Sequence, residues 1–124
     1  VLGYIALGGV LGTVARFGLQ GWVQGRFGAG TFPLGTVAVN LAGSFLLGFL
    51  MRYTTATVLV SPELRAGLTI GFCGAFTTMS TFAWESQALL GGGSYWQAAL
   101  YAGTTIFGSL LAVLAGLFLA NQML

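Results

Sequence analysis

The residues able to do chemistry in this sequence are polar side chains set at helical spacing inside apolar, uncharged stretches. Thr36, Asn40, Gly43, Ser44 and Gly48 recur at intervals of three and four, which puts them along one side of a helix. Tyr101, Thr105, Gly108 and Ser109 form a second such face that continues to Ala112. An amide offers donors and an acceptor together, and a hydroxyl donates to an anion or accepts from a cation. The same groups also serve as interhelical hydrogen bonds, or bond back onto their own helix. Nothing here assembles a catalytic triad, a metal–histidine site or a phosphate-binding loop: there is no histidine and a single cysteine, Cys73. The chemistry on offer is ion solvation rather than bond making, and an enzyme is not expected.

A third stretch is richer. It reads Gly71-Phe72-Cys73-Gly74-Ala75-Phe76-Thr77-Thr78-Met79-Ser80-Thr81-Phe82. Flexible glycine followed by β-branched threonine makes a poor helix. The segment lies near the middle of a long apolar run, and irregular backbone at membrane depth survives only when buried in protein or lining water. A helix broken there exposes carbonyls on one half and amides on the other, both ready to meet ions. A break is therefore expected; a glycine-rich kink steadied by threonine side chains is the plainer alternative.

The elements that hold these groups must be membrane spans. Of 124 residues, 56% are hydrophobic and 5% are charged, against about 25% charged in a soluble domain. The charges are Arg16, Arg26, Arg52, Glu63, Arg65 and Glu85. A helix crosses the bilayer core in about 20 apolar residues. The uncharged runs 27–51, 66–84 and 86–124 each suit one span, and 1–25 adds another despite Arg16. One transmembrane domain is predicted, with spans at about 2–25, 34–56, 63–90 and 95–121. Gly28 to Pro33 turns the chain, Ser61-Pro62-Glu63 is a helix start, and Gly91-Gly92-Gly93-Ser94 separates the last two spans. The first run is read as a retained span, since Arg16 lies too deep for the basic end of a leader. A net charge of +2, scattered, does not suit nucleic acid.

Arg26 marks one side of the membrane; Arg52 and Arg65, offset by Glu63, mark the other. So weak a positive-inside bias barely fixes orientation. The expectation is insertion in both orientations, with opposed copies pairing antiparallel. Four helices also bury little pathway among themselves, and a dimer supplies more. Small residues at Gly8 and Gly12, at Gly43, Ser44 and Gly48, and at Gly108, Ala112 and Gly116 offer close-packing faces. Any one of these can seat helices within a chain; the three together are expected to serve a dimer.

The 71–82 string resembles the GFxGGxTTFSTF signature of the Fluc (CrcB) fluoride channels. The likeness extends to Gly12 through Arg16, to Gly35-Thr36 with Val39-Asn40-Leu41, and to Gly108-Ser109-Leu110, so it covers essentially the whole chain. The resemblance implies an all-α membrane protein of four transmembrane helices, the third broken at mid-membrane, assembled as a dual-topology antiparallel homodimer in the bilayer of the cell's inner (plasma) membrane. It implies two fluoride pores and a structural Na+ at the dimer centre, held by backbone carbonyls matched here by Gly74 and Thr77. Asn40 matches the family's pore asparagine and Phe82 its second pore phenylalanine. Tyr101, Thr105 and Ser109 match its polar track, Ser80 and Thr81 the signature hydroxyls, and Arg16 and Glu85 its vestibule groups. One departure is notable: Met79 stands where the family has its first signature phenylalanine. A phenyl ring presents a positive edge to an anion, which a thioether does not reproduce; either Phe76 compensates or methionine alters conduction. Ala75 in place of a second glycine is a smaller departure.

The function so implied is passive, fluoride-selective export, with donors replacing the water a tightly hydrated anion gives up. The competing reading is a four-span proton-coupled multidrug exporter. That needs a membrane-embedded acid, and Glu85, near a helix end, is a poor one.

Overall fold

The structure is a computed structural model describing residues 1–124. Serine at the head of the third span behaves as its sequence requires: Ser61 Oγ accepts from the Leu64 amide at 3.1 Å, with Pro62 in the first turn and Glu63 beside it. Helix α1 runs Leu2–Phe27 and stops where Gly28 turns extended. Helix α2 is Leu34–Ala56. The third span is composite: α3 (Pro62–Ala66), a π-helical segment (Gly67–Cys73), α4 (Gly74–Phe76) and α5 (Met79–Gly91). Helix α6 is Tyr95–Met123. Gly30 (φ 64°) and Gly93 (φ 79°) turn the two loops at the same end of the bundle, in a left-handed conformation that suits glycine. Leu2–Phe27, Leu34–Ala56, Pro62–Gly91 and Tyr95–Met123 are each long and apolar enough to cross a membrane.

Backbone meets backbone along two seams. A Cβ on Gly8 would run into the Gly67 carbonyl oxygen, and one on Gly12 into that of Phe72; from the other side, Gly71 lies against the Ile5 carbonyl. These contacts lock α1 to the first half of the third span. Gly48 abuts the Val113 carbonyl and Gly116 that of Phe45, locking α2 to α6. Gly43 receives the Thr77 methyl and the edge of Phe76, and Gly108 faces the Leu41 side chain. The small faces expected to serve a dimer are thus largely used inside one chain. The physical reason is that lipid gives helices no hydrophobic drive to associate, so close backbone packing must hold the monomer itself together.

The third span breaks, though not at its glycines. Gly74 is helical (φ −62°, ψ −36°), whereas Thr77 (φ −93°, ψ 158°) and Thr78 (φ −149°, ψ 113°) are extended. The break falls near the middle of Pro62–Gly91. A small apolar cluster of Val37, Phe82, Leu89, Ala98 and Tyr101 packs α5 between α2 and α6.

Candidate functional site

An extended peptide in mid-span needs hydrogen-bond partners from elsewhere, and three side chains supply them. Asn40 on α2 clamps Thr78 from both sides: its Oδ1 accepts the Thr78 amide at 2.8 Å and its Nδ2 donates to the Thr78 carbonyl at 3.2 Å. Arg16 on α1 donates Nε–H to the Ala75 carbonyl at 3.0 Å, capping the end of the first half-helix. Thr78 Oγ1 accepts the Thr81 amide at 3.2 Å and so caps α5. In an unbroken helix the Thr78 amide would bond the Gly74 carbonyl, and the Thr81 amide that of Thr77. Both amides are diverted to side chains, and the Gly74 and Thr77 carbonyls accept no hydrogen bond within the chain.

A cavity of about 250 Å³ opens beside the break, walled by Asn40, Ser44, Thr77, Thr78, Met79, Phe82, Thr105, Ile106 and Ser109. Five of the eight residues expected along a pathway meet here: Asn40, Met79, Phe82, Thr105 and Ser109. Phe82 is buried and its ring lies 5.0 Å from that of Tyr101, centroid to centroid. Met79 is 74% exposed on the same wall. Thr105 Oγ1 is buried and has no hydrogen-bond partner. The other three lie off this wall. Thr81 is half-buried, its hydroxyl accepting from Thr78 Oγ1 at 3.0 Å; Ser80 is exposed at the head of α5; Tyr101 is fully buried behind Phe82. Phe76 does not reach the cavity; its ring stacks on Phe72 and covers Gly43.

Toward the end that carries the two glycine loops, a cleft of about 690 Å³ brings Arg16 and Glu85 into one wall, together with Gln20, Gln24, Thr36 and Trp84. Glu85 Oε1 accepts from Thr36 Oγ1 at 2.6 Å and from the Tyr101 hydroxyl at 2.9 Å. Gln20 Nε2 in turn donates to Thr36 Oγ1 at 2.9 Å. Tyr101 therefore touches both compartments, Glu85 on the cleft side and Phe82 on the cavity side. Gln24 ties the turn after α1 to α2, its Oε1 accepting the Gly35 amide at 2.9 Å. Gln20 and Gln24 were not among the expected site residues. The signal was present: Arg16, Gln20 and Gln24 recur every four residues, a polar stripe on an otherwise apolar helix.

Fold and site together define a small multi-pass membrane protein with a hydroxyl-lined cavity at a broken span. The chain belongs to the CrcB family: the family profile described as "CrcB-like protein, Camphor Resistance (CrcB)" matches residues 3–117. Relatives named "Fluoride-specific ion channel FluC" include that of Geobacter metallireducens, 43% identical over 96% of this chain and 95% of its own length. The Thermus thermophilus protein is 49% identical over 89% of this chain and 86% of its own. That of Geotalea uraniireducens is 52% identical over 70% of this chain and 69% of its own.

Proposed function

We propose that this chain is a passive fluoride channel of the cell membrane, working as an antiparallel homodimer around a structural Na+ and exporting fluoride from the cytoplasm. The observation that carries the reading is the broken third span, whose freed peptide groups open beside a cavity lined by amide, hydroxyl and phenyl groups, in a chain whose relatives bear the name of fluoride channels. It is a transport protein, not an enzyme.

Fluoride holds water tightly, so a path for it must present hydrogen-bond donors at each step of dehydration. Asn40 Nδ2 uses one N–H on Thr78 and keeps a second without a protein partner. Thr105 and Ser109 add hydroxyls and Phe82 a ring in the same cavity. No lysine occurs in the chain; a bare ammonium in mid-path would hold the anion too well for it to leave. Arg16, in the cleft wall, raises the local anion concentration at the entrance.

The dimer and the cation answer one physical problem. Peptide carbonyls without partners cost several kcal/mol each in hydrocarbon. Those of Gly74 and Thr77 have none within the chain, and a Cβ on Gly74 would meet nothing within 4 Å. A second copy covers that open backbone. A hard monovalent cation accepts oxygen ligands, so the residues present fit Na+: Gly74 and Thr77 of each copy would hold it, and it would supply positive charge near the anion path. Weak charge asymmetry, with Arg26 at one end and Arg52 and Arg65 at the other, supports insertion in both orientations.

The multidrug-exporter reading finds no supporting observation; the acid it would use, Glu85, is engaged by Thr36 and Tyr101. Expression in a bacterium lacking its own fluoride exporter separates the two. Restored growth on fluoride, without resistance to quaternary ammonium compounds, is expected; the reverse pattern overturns the proposal.

A further inference from the structure

At the break two side chains take the amides that would otherwise occupy the Gly74 and Thr77 carbonyls. Asn40 Oδ1 takes the Thr78 amide from Gly74, and Thr78 Oγ1 takes the Thr81 amide from Thr77. We infer that Asn40 and Thr78 are positioning residues for the cation site, deciding which peptide oxygens are available to it. The inference rests on the sodium reading above and adds to it a cause within this chain.

The geometry makes the assignment specific. Asn40 is 7% exposed and holds both faces of the Thr78 peptide unit, N–H at 2.8 Å and C=O at 3.2 Å, so its amide replaces a turn of helix. The Thr78 hydroxyl is likewise fully used, accepting from the Thr81 amide and donating to Thr81 Oγ1 at 3.0 Å. The neighbouring Ala75 carbonyl is not free, since Arg16 occupies it. The chain therefore selects Gly74 and Thr77 over Ala75 by hydrogen bonding, not by backbone sequence alone. Asn40 also walls the cavity, so one amide serves both the cation site and the anion path.

Removing either acceptor lets its amide return to the carbonyl, which must then give up a hydrogen bond to meet the cation. A net bond of about 0.5–1.5 kcal/mol corresponds to roughly a two- to tenfold loss of sodium affinity. The test uses purified full-length protein in detergent, titrated with NaCl against N-methylglucamine chloride at constant ionic strength. Thermal protection and dimer content are the readouts. Wild type should show a saturable sodium response. Thr78→Val and Asn40→Leu should shift its midpoint upward two- to tenfold, while Thr78→Ser, which keeps the hydroxyl, should stay near wild type. Unchanged midpoints in both Thr78→Val and Asn40→Leu overturn the inference. So does a Thr78→Val protein that fails to assemble even at saturating sodium, because mass action refills a site that is merely weakened. A wild type indifferent to sodium overturns the cation reading itself, and this inference with it.

Discussion

Thr105→Val should separate stability from transport. The Thr105 hydroxyl is buried without a partner while the residue walls the cavity beside the break. An unbonded buried hydroxyl costs about 1–3 kcal/mol by mutational measures. Valine keeps the shape and removes the polar group, so the substituted protein should be as stable as wild type or more stable, by up to about 1–2 kcal/mol after allowing for water that partly satisfies the hydroxyl. Transport should move the other way. A donor worth about 1.4 kcal/mol to a passing fluoride corresponds to about a tenfold loss of rate when it is removed. Thermal unfolding in detergent and fluoride efflux from liposomes, run on the same preparation, read both effects. Loss of stability together with loss of flux would mean that Thr105 is a packing residue. Raised stability with unchanged flux would take the Thr105 hydroxyl out of the path. Either result refutes the reasoning.

Asn40→Ala, assayed at saturating sodium, should retain the dimer yet lose fluoride efflux by about tenfold or more, because it removes the Nδ2 N–H not used on Thr78, a donor worth about 1.4 kcal/mol to a passing fluoride; efflux at the wild-type rate would exclude it. Phe82→Ala should impair efflux more than Met79→Ala, because Phe82 is buried against Tyr101 whereas Met79 is 74% exposed; the opposite order would assign the anion contact to Met79. Gly12→Ala drives a methyl into the Phe72 carbonyl and should cost about 1–3 kcal/mol as overpacking, read as a lower yield of folded protein. Arg16→Gln should slow efflux at low ionic strength, with the deficit shrinking at high salt as the charge effect is screened; a deficit independent of salt would leave only its bond to Ala75.

The spans were legible because charge is so scarce that each one interrupts a hydrophobic run, and the boundaries follow: 34–56 coincides with Leu34–Ala56, and 95–121 extends only to Met123. The existence of a break was legible from weak helix formers at mid-span. Its position was not. Glycine permits a break without requiring one, and Gly71 and Gly74 both remain helical. The chain opens at Thr77 and Thr78 because Asn40, 38 residues away, offers the peptide an alternative partner. That is a tertiary cause with no local signature. The π-helical turn at Gly67–Cys73 was likewise unread. Small-residue faces were visible, but spacing alone does not say whether the opposing backbone belongs to the same chain. In the site, single hydroxyls at helical spacing located the cavity wall, while the link through Thr36, Glu85 and Tyr101 depends on three helices meeting.

The most direct test of the central claim is fluoride-electrode recording of efflux from liposomes holding the purified protein, with sodium on both sides and no proton gradient. Rapid release of fluoride, with chloride retained under the same conditions, is the predicted result. Release no faster than from protein-free liposomes, or equal passage of chloride, would contradict it.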